Sequence, residues 1–340
     1  MQYLYVLVSN PKDMYYEQFF LSVTSLRLLM PNVDVILLCD PKTRENLTEK
    51  RSGYEEFVSR IVVVDVPVDR CQIEVSRWIK TSMRRHVRGD FLFIDCDTII
   101  TDDLSPIAKM GIKIGGCLDK HSFIDRHSKV GNILERDRHL GFVSHLSNRH
   151  INSGVIFCID TPETCDFFDR WHELWLFSNS KNMVRDQPSF NMAIYENPSF
   201  FTELDGTWNC QVSFNGLPFL SDSRIIHYFA SDLVQHTSPF ILASDDIFKK
   251  IKETGIIPDK VLKLLEKPKT AFVSEVRIVA GEDVLHILNS HVFETLLLLW
   301  RKIPGFFIFF NCLSFVGKKI AKFILVRTSR KKDGGIKYYN

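Results

Sequence analysis

A chain of 340 residues with 45% hydrophobic and 25% charged residues is too long for one small domain and too apolar for general disorder, so a large globular body with an appendage is expected. The net charge of +2 hides an asymmetry: residues 1–235 carry 25 basic against 31 acidic side chains, and residues 236–340 carry 18 against 10. Eight cysteines without a CxxC pair exclude a disulfide framework and a zinc ribbon, and read as reduced thiols in a cytosolic setting.

The N-terminus has no basic segment or small-residue cleavage site, so Leu4 to Ser9 reads as a first strand rather than a secretory signal. Met14 to Leu29 carries Tyr16, Phe19, Phe20, Val23 and Leu26 at helical spacing, and Pro31-Asn32 ends it. Val33–Cys39 and Ile61–Val64 are further strands, with a short polar helix near Lys42–Arg51 between them. Ser76–Val87 is a helix that delivers the chain to Phe91-Leu92-Phe93-Ile94, four apolar residues fitting a strand buried on both faces. This alternation predicts an α/β fold, a mostly parallel central sheet with helices on both faces.

The apolar strand runs directly into Asp95-Cys96-Asp97. Extended backbone alternates side chains, so Asp95 and Asp97 project together from the strand's C-terminal end, where open α/β sheets hold ligands. Two hard oxygen donors suit Mg²⁺ or Mn²⁺ held with a substrate's phosphates; a solvated turn or an N-cap is the bland alternative. Aspartyl phosphatases use a similar strand and pair but want Thr or Val where this chain has Ile99. Neither a G-x-G-x-x-G nor a P-loop is present, so a bound nucleotide needs its phosphates neutralised by other means.

Asp119 to His150 is polar and reads as a substrate-covering loop or a helical surface insertion. Asn152-Ser153-Gly154 opens another strand through Ile159, and Thr161-Pro162 caps a helix to about Ser178 whose aromatic stripe is core. Asp186-Gln187 begins a short helix, Trp208-Asn209 follows, and Ile226-His227-Tyr228 closes a late strand.

The order and spacing of these segments over roughly residues 1–235 resemble the family-eight-like glycosyltransferases, GT-A enzymes that use nucleotide sugars. The resemblance rests on Ser76-Arg77-Trp78-Ile79-Lys80, Asp95-Cys96-Asp97, Asn152-Ser153-Gly154, Asp186-Gln187, Trp208-Asn209 and Ile226-His227-Tyr228. It implies that Asp95, Asp97 and His227 hold Mn²⁺, or Mg²⁺, under a nucleotide diphosphate, and that Arg77 and Lys80 bind the donor. Ser9 and Asn10 are implied as nucleoside contacts, and Asn152, Asp186 and Gln187 as contacts to the transferred sugar. The implied reaction moves a hexose from a UDP-sugar onto a glycan or glycolipid with retention, Asp186 serving either as nucleophile or as partner of a sugar hydroxyl. Bacterial surface polysaccharide is the expected product class. The basic motif that some members carry after the final histidine is not evident in Phe229–Leu233. Rival readings of the Asp pair are a nucleotidyltransferase, a phosphatase, or a degenerate glycan-binding scaffold.

The expected division is a catalytic domain over 1–235 and a basic, partly amphipathic helical region over 236–340. Short helices are expected near Ile247–Thr254 and Pro258–Glu266. In the tail, Leu296–Trp300 and Phe306–Phe310 flank Arg301-Lys302, and Lys318, Lys319, Lys322, Arg327, Arg330, Lys331 and Lys332 follow. The uncharged run Ile303–Gly317 is 15 residues and contains Pro304 and Gly305, too short to span a bilayer core of about 30 Å. Apolar and basic side chains together fit an interfacial helix on anionic lipid. The tail is therefore expected to dock a cytoplasmic protein peripherally on the cytoplasmic membrane face; packing on the body is the alternative, and nucleic acid is a poorer match to so apolar a segment.

Overall fold

The structure, a computed structural model, describes residues 1–229, 240–272 and 290–329. The chain divides into one compact unit over Met1–Ser274 and a second over Glu275–Asn340.

The first unit is built on a seven-stranded sheet. Strands β1 (Gln2–Leu7), β2 (Asp34–Cys39), β3 (Arg60–Val63) and β4 (Phe91–Ile94) form its parallel part. Strands β6 (Ile114–Gly116), β7 (Val155–Cys158) and β8 (Phe201–Glu203) complete the order β3-β2-β1-β4-β7-β6-β8, with β7 antiparallel to both β4 and β6. The strand order reverses at β1, which has β2 on one side and β4 on the other. That switch point opens a crevice at the carboxyl ends of β1 and β4.

The central strands are buried on both faces, as their unbroken apolar runs require. Tyr3, Tyr5 and Leu7 of β1, with Leu92 and Ile94 of β4, join the core under helix α1 (Tyr15–Leu29). Leu4, Phe91 and Phe93 join the opposite core, under α3 (Gln72–His86) and α5 (Pro162–Ser180). Alternation carries past Ile94 and turns Asp95 and Asp97 toward the α3 side.

A second sheet holds β5 (Thr98–Ile100), β10 (Ile225–His227) and β9 (Cys210–Gln211). β5 and β10 are antiparallel with His227 opposite Thr98, so the register itself delivers His227 beside Asp97. The expected loop over 119–150 contains a helix, α4 (Val130–Leu140), flanked by 3-10 turns. It terminates on Gly141, whose φ of 73° suits the left-handed cap. The remaining helices of this unit are α2 (Pro41–Asn46), α6 (Gln187–Glu196), α7 (Asp245–Thr254) and α8 (Asp259–Leu265).

The compact unit ends at Ser274, later than the expected boundary near 235. The cause is apolar: Phe240, Leu242, Phe248, Ile251, Val261, Leu265 and Phe272 enter the same core as Tyr228 and Ile226. The Tyr228 ring stacks on those of Phe248 and Phe272, with centroids 6.3 and 6.2 Å apart. All eight cysteines are free thiols.

In the second unit, α9 (His291–Lys302) and α10 (Pro304–Ser329) are described, and Ser290 Oγ caps α9 by accepting from the Phe293 amide. Val292, Leu298, Trp300, Ile303, Phe306, Ile308, Phe309, Phe310, Leu313 and Phe315 are exposed. Among the described residues, no helix is long and apolar enough to cross a membrane. Arg330, Lys331 and Lys332 lie outside the described residues, as do Ala230–Leu233.

If residues 240–272 are part of the body's core, Phe248→Ala costs about 3 kcal/mol in urea unfolding, the usual cost of emptying a buried phenyl site. A loss below about 0.5 kcal/mol would mean that this segment is an appendage.

Candidate functional site

A cleft of about 540 Å³ opens at the switch point, walled by Val6, Leu7 and Val8 of the β1 end, α3, the Asp95–Asp97 turn, the Asn152–Gly154 turn, α4 and the start of α6. Asp95, Asp97 and His227 each turn a ligand atom into it, all within 4.8 Å of one another. Such a set, two carboxylates and an imidazole, suits a divalent transition metal.

Hydrogen-bond logic fixes the imidazole. The Gly154 amide can only donate, so Asn152 Oδ1, 2.9 Å away, accepts. The Asn209 atom 3.0 Å from that oxygen must then be Nδ2, which turns Asn209 Oδ1 toward His227 Nδ1 at 3.0 Å. Nδ1 therefore carries a proton, and Nε2 faces Asp97 Oδ1 at 3.2 Å. A nitrogen and a carboxylate oxygen that close need a cation between them or a proton on the ring. Burial alone lowers the pKa of His227, but the carboxylates of Asp97 and Asp95 outweigh it and raise the value. Burial, reinforced by Asp97 and only partly relieved by Lys80, likewise raises Asp95. The donor set and its outer hydrogen bonds thus fit a metal ion.

The second feature is a charge lattice on α3. Lys80 Nζ, on a side chain 3% exposed, lies 3.0 Å from Asp95 Oδ1 and 3.4 Å from Asp186 Oδ2. Arg77 Nε lies 3.0 Å from Asp186 Oδ1, and Ser153 Oγ donates to Asp186 Oδ2 at 2.8 Å. Burial pushes Asp186 up, but Lys80, Arg77 and Ser153 prevail and hold it well below the usual carboxylate range. Asp186 sits just before α6, its carbonyl accepting from Trp171 Nε1 and Ser189 Oγ, and Gln187 lines the cleft beside it.

Eight of the ten residues expected at the site are therefore in the cleft: Arg77, Lys80, Asp95, Asp97, Asn152, Asp186, Gln187 and His227. Arg77 and Lys80 are engaged with carboxylates rather than free for phosphate. Ser9 and Asn10 do not line it. Ser9 Oγ donates to Asp13 Oδ1 and accepts from Arg51, and Asn10 Nδ2 donates to Gln72, so both brace the loop after β1. Val8, Tyr15, Gln18, Gln72 and Ile73 present the wall there instead.

Asp119 is a site residue that the sequence reading passed over. It lies three residues past the end of β6, as Asp97 lies three past the end of β4, which is the signal that could have found it. Its Oδ1 accepts from Asn152 Nδ2 at 2.9 Å and its Oδ2 from His127 Nε2 at 2.9 Å. His127 Nδ1 accepts from the Lys129 amide, which places the ring proton on Nε2. A continuous relay thus runs from His227 through Asn209, Asn152 and Asp119 to His127.

Gly154 has no room for a side chain. A Cβ there would lie 2.5 Å from His227 Cε1 and 2.9 Å from both Asp95 Oδ2 and Asn152 Oδ1. Gly154→Ala is expected to cost about 2 kcal/mol in chemical denaturation. Gly131→Ala in α4, where nothing lies within 4 Å, is expected to be neutral or stabilising. Equal effects would contradict the packing described.

A sequence model of the nucleotide-diphospho-sugar transferases matches residues 29–212. No curated protein matches the chain. Among solved structures, the bifunctional glycosyltransferase WbbM aligns with a TM-score of 0.50 at 16% identity, over 78% of this chain and 51% of its own. The galactosyltransferase LgtC, solved with donor and acceptor sugar analogs, aligns with a TM-score of 0.49 at 13% identity, over 77% of this chain and 99% of its own. Mouse xyloside xylosyltransferase 1 aligns with a TM-score of 0.45 at 12% identity, over 67% and 97%. The WbbM likeness speaks for a GT-A fold, while the sequence match covers more than half of the chain and all the cleft walls from α3 to β9: the chain belongs to the nucleotide-diphospho-sugar transferase family and is a glycosyltransferase.

Proposed function

We propose that the protein transfers a hexose from a UDP-sugar to a glycan or lipid-linked saccharide, with retention of anomeric configuration and dependence on a divalent metal, Mn²⁺ or Mg²⁺. The observation that carries this reading is the convergence of Asp95, Asp97 and His227, with the imidazole held by Asn209 so that Nε2 faces the two carboxylates. A divalent ion held there would offset the charge of the departing diphosphate. The nucleoside is assigned to the wall at Val8, Tyr15 and Gln72 rather than to Ser9 and Asn10.

Asn152, Asp186 and Gln187 are assigned to the transferred sugar, and Arg77 and Lys80 orient Asp186. Both oxygens of Asp186 are already engaged by cations or a hydroxyl, which makes it a weak nucleophile and a good acceptor for a sugar hydroxyl. This favours attack by the acceptor on the same face as the leaving group over a covalent intermediate on Asp186. Family membership sets aside the phosphatase and nucleotidyltransferase readings of the Asp pair.

Binding and hydrolysis across a panel of nucleotide sugars test the reading. One UDP-sugar is expected to turn over with Mn²⁺ and not with EDTA, and Asp97→Ala is expected to lower kcat by at least about 10²-fold. Failure of every nucleotide sugar to bind in the presence of metal would sink it.

The second unit favours a membrane location. The exposed aromatic and aliphatic side chains of α9 and α10 share their segment with Arg301, Lys302, Lys318, Lys319, Lys322 and Arg327 in the sequence, the combination that binds anionic interfaces. We therefore place the protein peripherally on the cytoplasmic membrane face, where a lipid-linked acceptor would be met. The full chain is expected to float with vesicles containing anionic lipid and a chain ending near residue 290 to remain behind; equal partitioning would refute this.

A further inference from the structure

One wall of the cleft carries positive charge that the reading above leaves unused. Helix α4 presents Lys129, Asn132, Ile133 and Arg136 to the cleft, the spacing of a single helical face. Its N-cap residue, Lys129, makes no side-chain cap to the helix. The Arg136 side chain is 14% exposed, yet its guanidinium is poorly satisfied. Nε makes no hydrogen bond among the described residues, Asp137 Oδ1 lies at 3.6 Å, and Nη2 has a long 3.4 Å contact to His150 Nε2. Asp137 Oδ2 meanwhile accepts from Ser144 and has His145 Nδ1 at 3.7 Å.

His150 is in the same position. A guanidinium only donates, so His150 Nε2 accepts and the proton of this neutral ring sits on Nδ1. Burial, with Arg136 beside the ring, pulls it down to about 3 against the opposing effect of Asp119. Nδ1 has no partner among the described residues, although the residue is 2% exposed and lines the cleft. Arg185 lines the same region close enough to Arg136 that, after burial and against Asp137, it further lowers the Arg136 pKa. The other carboxylate of this wall, Asp119, already has both oxygens occupied. Two buried nitrogens without a hydrogen bond among the described residues, Arg136 Nε and His150 Nδ1, stand beside the Arg185 guanidinium, and the one carboxylate oxygen near Arg136, Asp137 Oδ1, is only at ion-pair distance, so the site has room for a further anion.

We propose that Arg136, His150 and Arg185 form a subsite for a carboxylate or phosphate carried by the transferred sugar or by the acceptor. The hydrogen-bond relay from His227 through Asn209 and Asn152 ends on Asp119, and the subsite lies on the α4 wall of the same cleft. The proposal rests on the cleft being a nucleotide-sugar site, so the test reads the two separately.

The full-length protein with Mn²⁺ is titrated with UDP, UDP-glucose and UDP-glucuronate, and its UDP complex with glycerol phosphate. Wild type, Arg136→Gln and Arg185→Gln are compared, with thermal unfolding to confirm folding; Arg185 is exposed, so its variant carries the test if Arg136→Gln does not fold. An anion on the transferred sugar predicts that UDP-glucuronate binds about tenfold or more tightly than UDP-glucose, and that both variants erase the difference without changing the Kd of UDP. An anion on the acceptor predicts that glycerol phosphate binds the wild-type complex and binds the variants about tenfold more weakly. UDP binding with neither preference overturns the subsite and leaves the nucleotide-sugar reading intact. A loss of UDP affinity as large as that of the sugars would put the arginines on the diphosphate and also overturn it. Absence of UDP binding removes the reading and the subsite together.

Discussion

The Lys80 ammonium between Asp95 and Asp186 is the interaction on which the rest of the site depends. Three carboxylates, Asp95, Asp97 and Asp186, converge at the carboxyl end of a sheet whose central strands are dry on both faces. Without a fixed cation they would repel each other at low effective dielectric. Lys80 is buried along the Phe93 ring and reaches two of them at once. Removing such a partner leaves buried charge uncompensated, a loss on the order of 3–5 kcal/mol. The position of α3 against the sheet is thus an electrostatic requirement as well as a packing one. The α3 register that buries Ile79 and Met83 is the same one that aims Arg77 and Lys80 at Asp186.

The end of the cleft at Asp97 and His227 obeys a different constraint, that of hydrogen-bond direction. A single backbone amide, Gly154, sets the orientation of Asn152, which sets Asn209, which sets the tautomer of His227. Between His227 and Asp119 the relay runs through two neutral amides, Asn209 and Asn152. Geometry at His227 is therefore decided by the β7 entry turn, whose glycine also lets that turn approach Asp95 and His227 at van der Waals distance. The amide carries the orientation and the missing side chain makes the room.

Much of this was legible in the sequence because the signals are local. A continuous apolar run ending in Asp-x-Asp announces β4 and its two carboxylates, and the polar Asn-Ser-Gly before β7 announces the turn that meets them. Where residues lie elsewhere than expected, tertiary packing overrides a local sign. Ser9 and Asn10 end the right strand but are taken up by Asp13, Arg51 and Gln72, partners up to 62 residues distant that no spacing rule reveals. Asp119 was hidden because Gly115 and Gly116 dilute the strand ahead of it. Gly115 is small because Ile112 and Leu204 would lie 2.8 and 3.1 Å from a Cβ. Residues 240–272 looked like a basic appendage because Lys249 and Lys250 are outward and exposed, whereas the sparse apolar positions Phe248 and Ile251 are fully used in the core.

The two walls of the cleft are locked together by one side chain, and the backbone strain around it shows that the lock is needed. Lys120 and His121 are consecutive left-handed residues with φ of 54° and 51°, and Phe229, whose ring stacks 4.0 Å from that of His227, has φ of 52°. Each costs on the order of 1 kcal/mol and persists only where neighbours over-determine it. Gln211 does so at the first pair: its Oε1 accepts from the Lys120 amide, its Nε2 donates to the Leu118 carbonyl, and its own amide donates to His121 Nε2. Gln211 is fully buried, and in the β9–β10 ladder it stands opposite His227. The turn that presents Asp119 is consequently tied to the strand that presents His227 through the backbone as well as through the asparagine relay. Displacing either wall must break both connections, so the turn at Asp119 and the strand at His227 are held together.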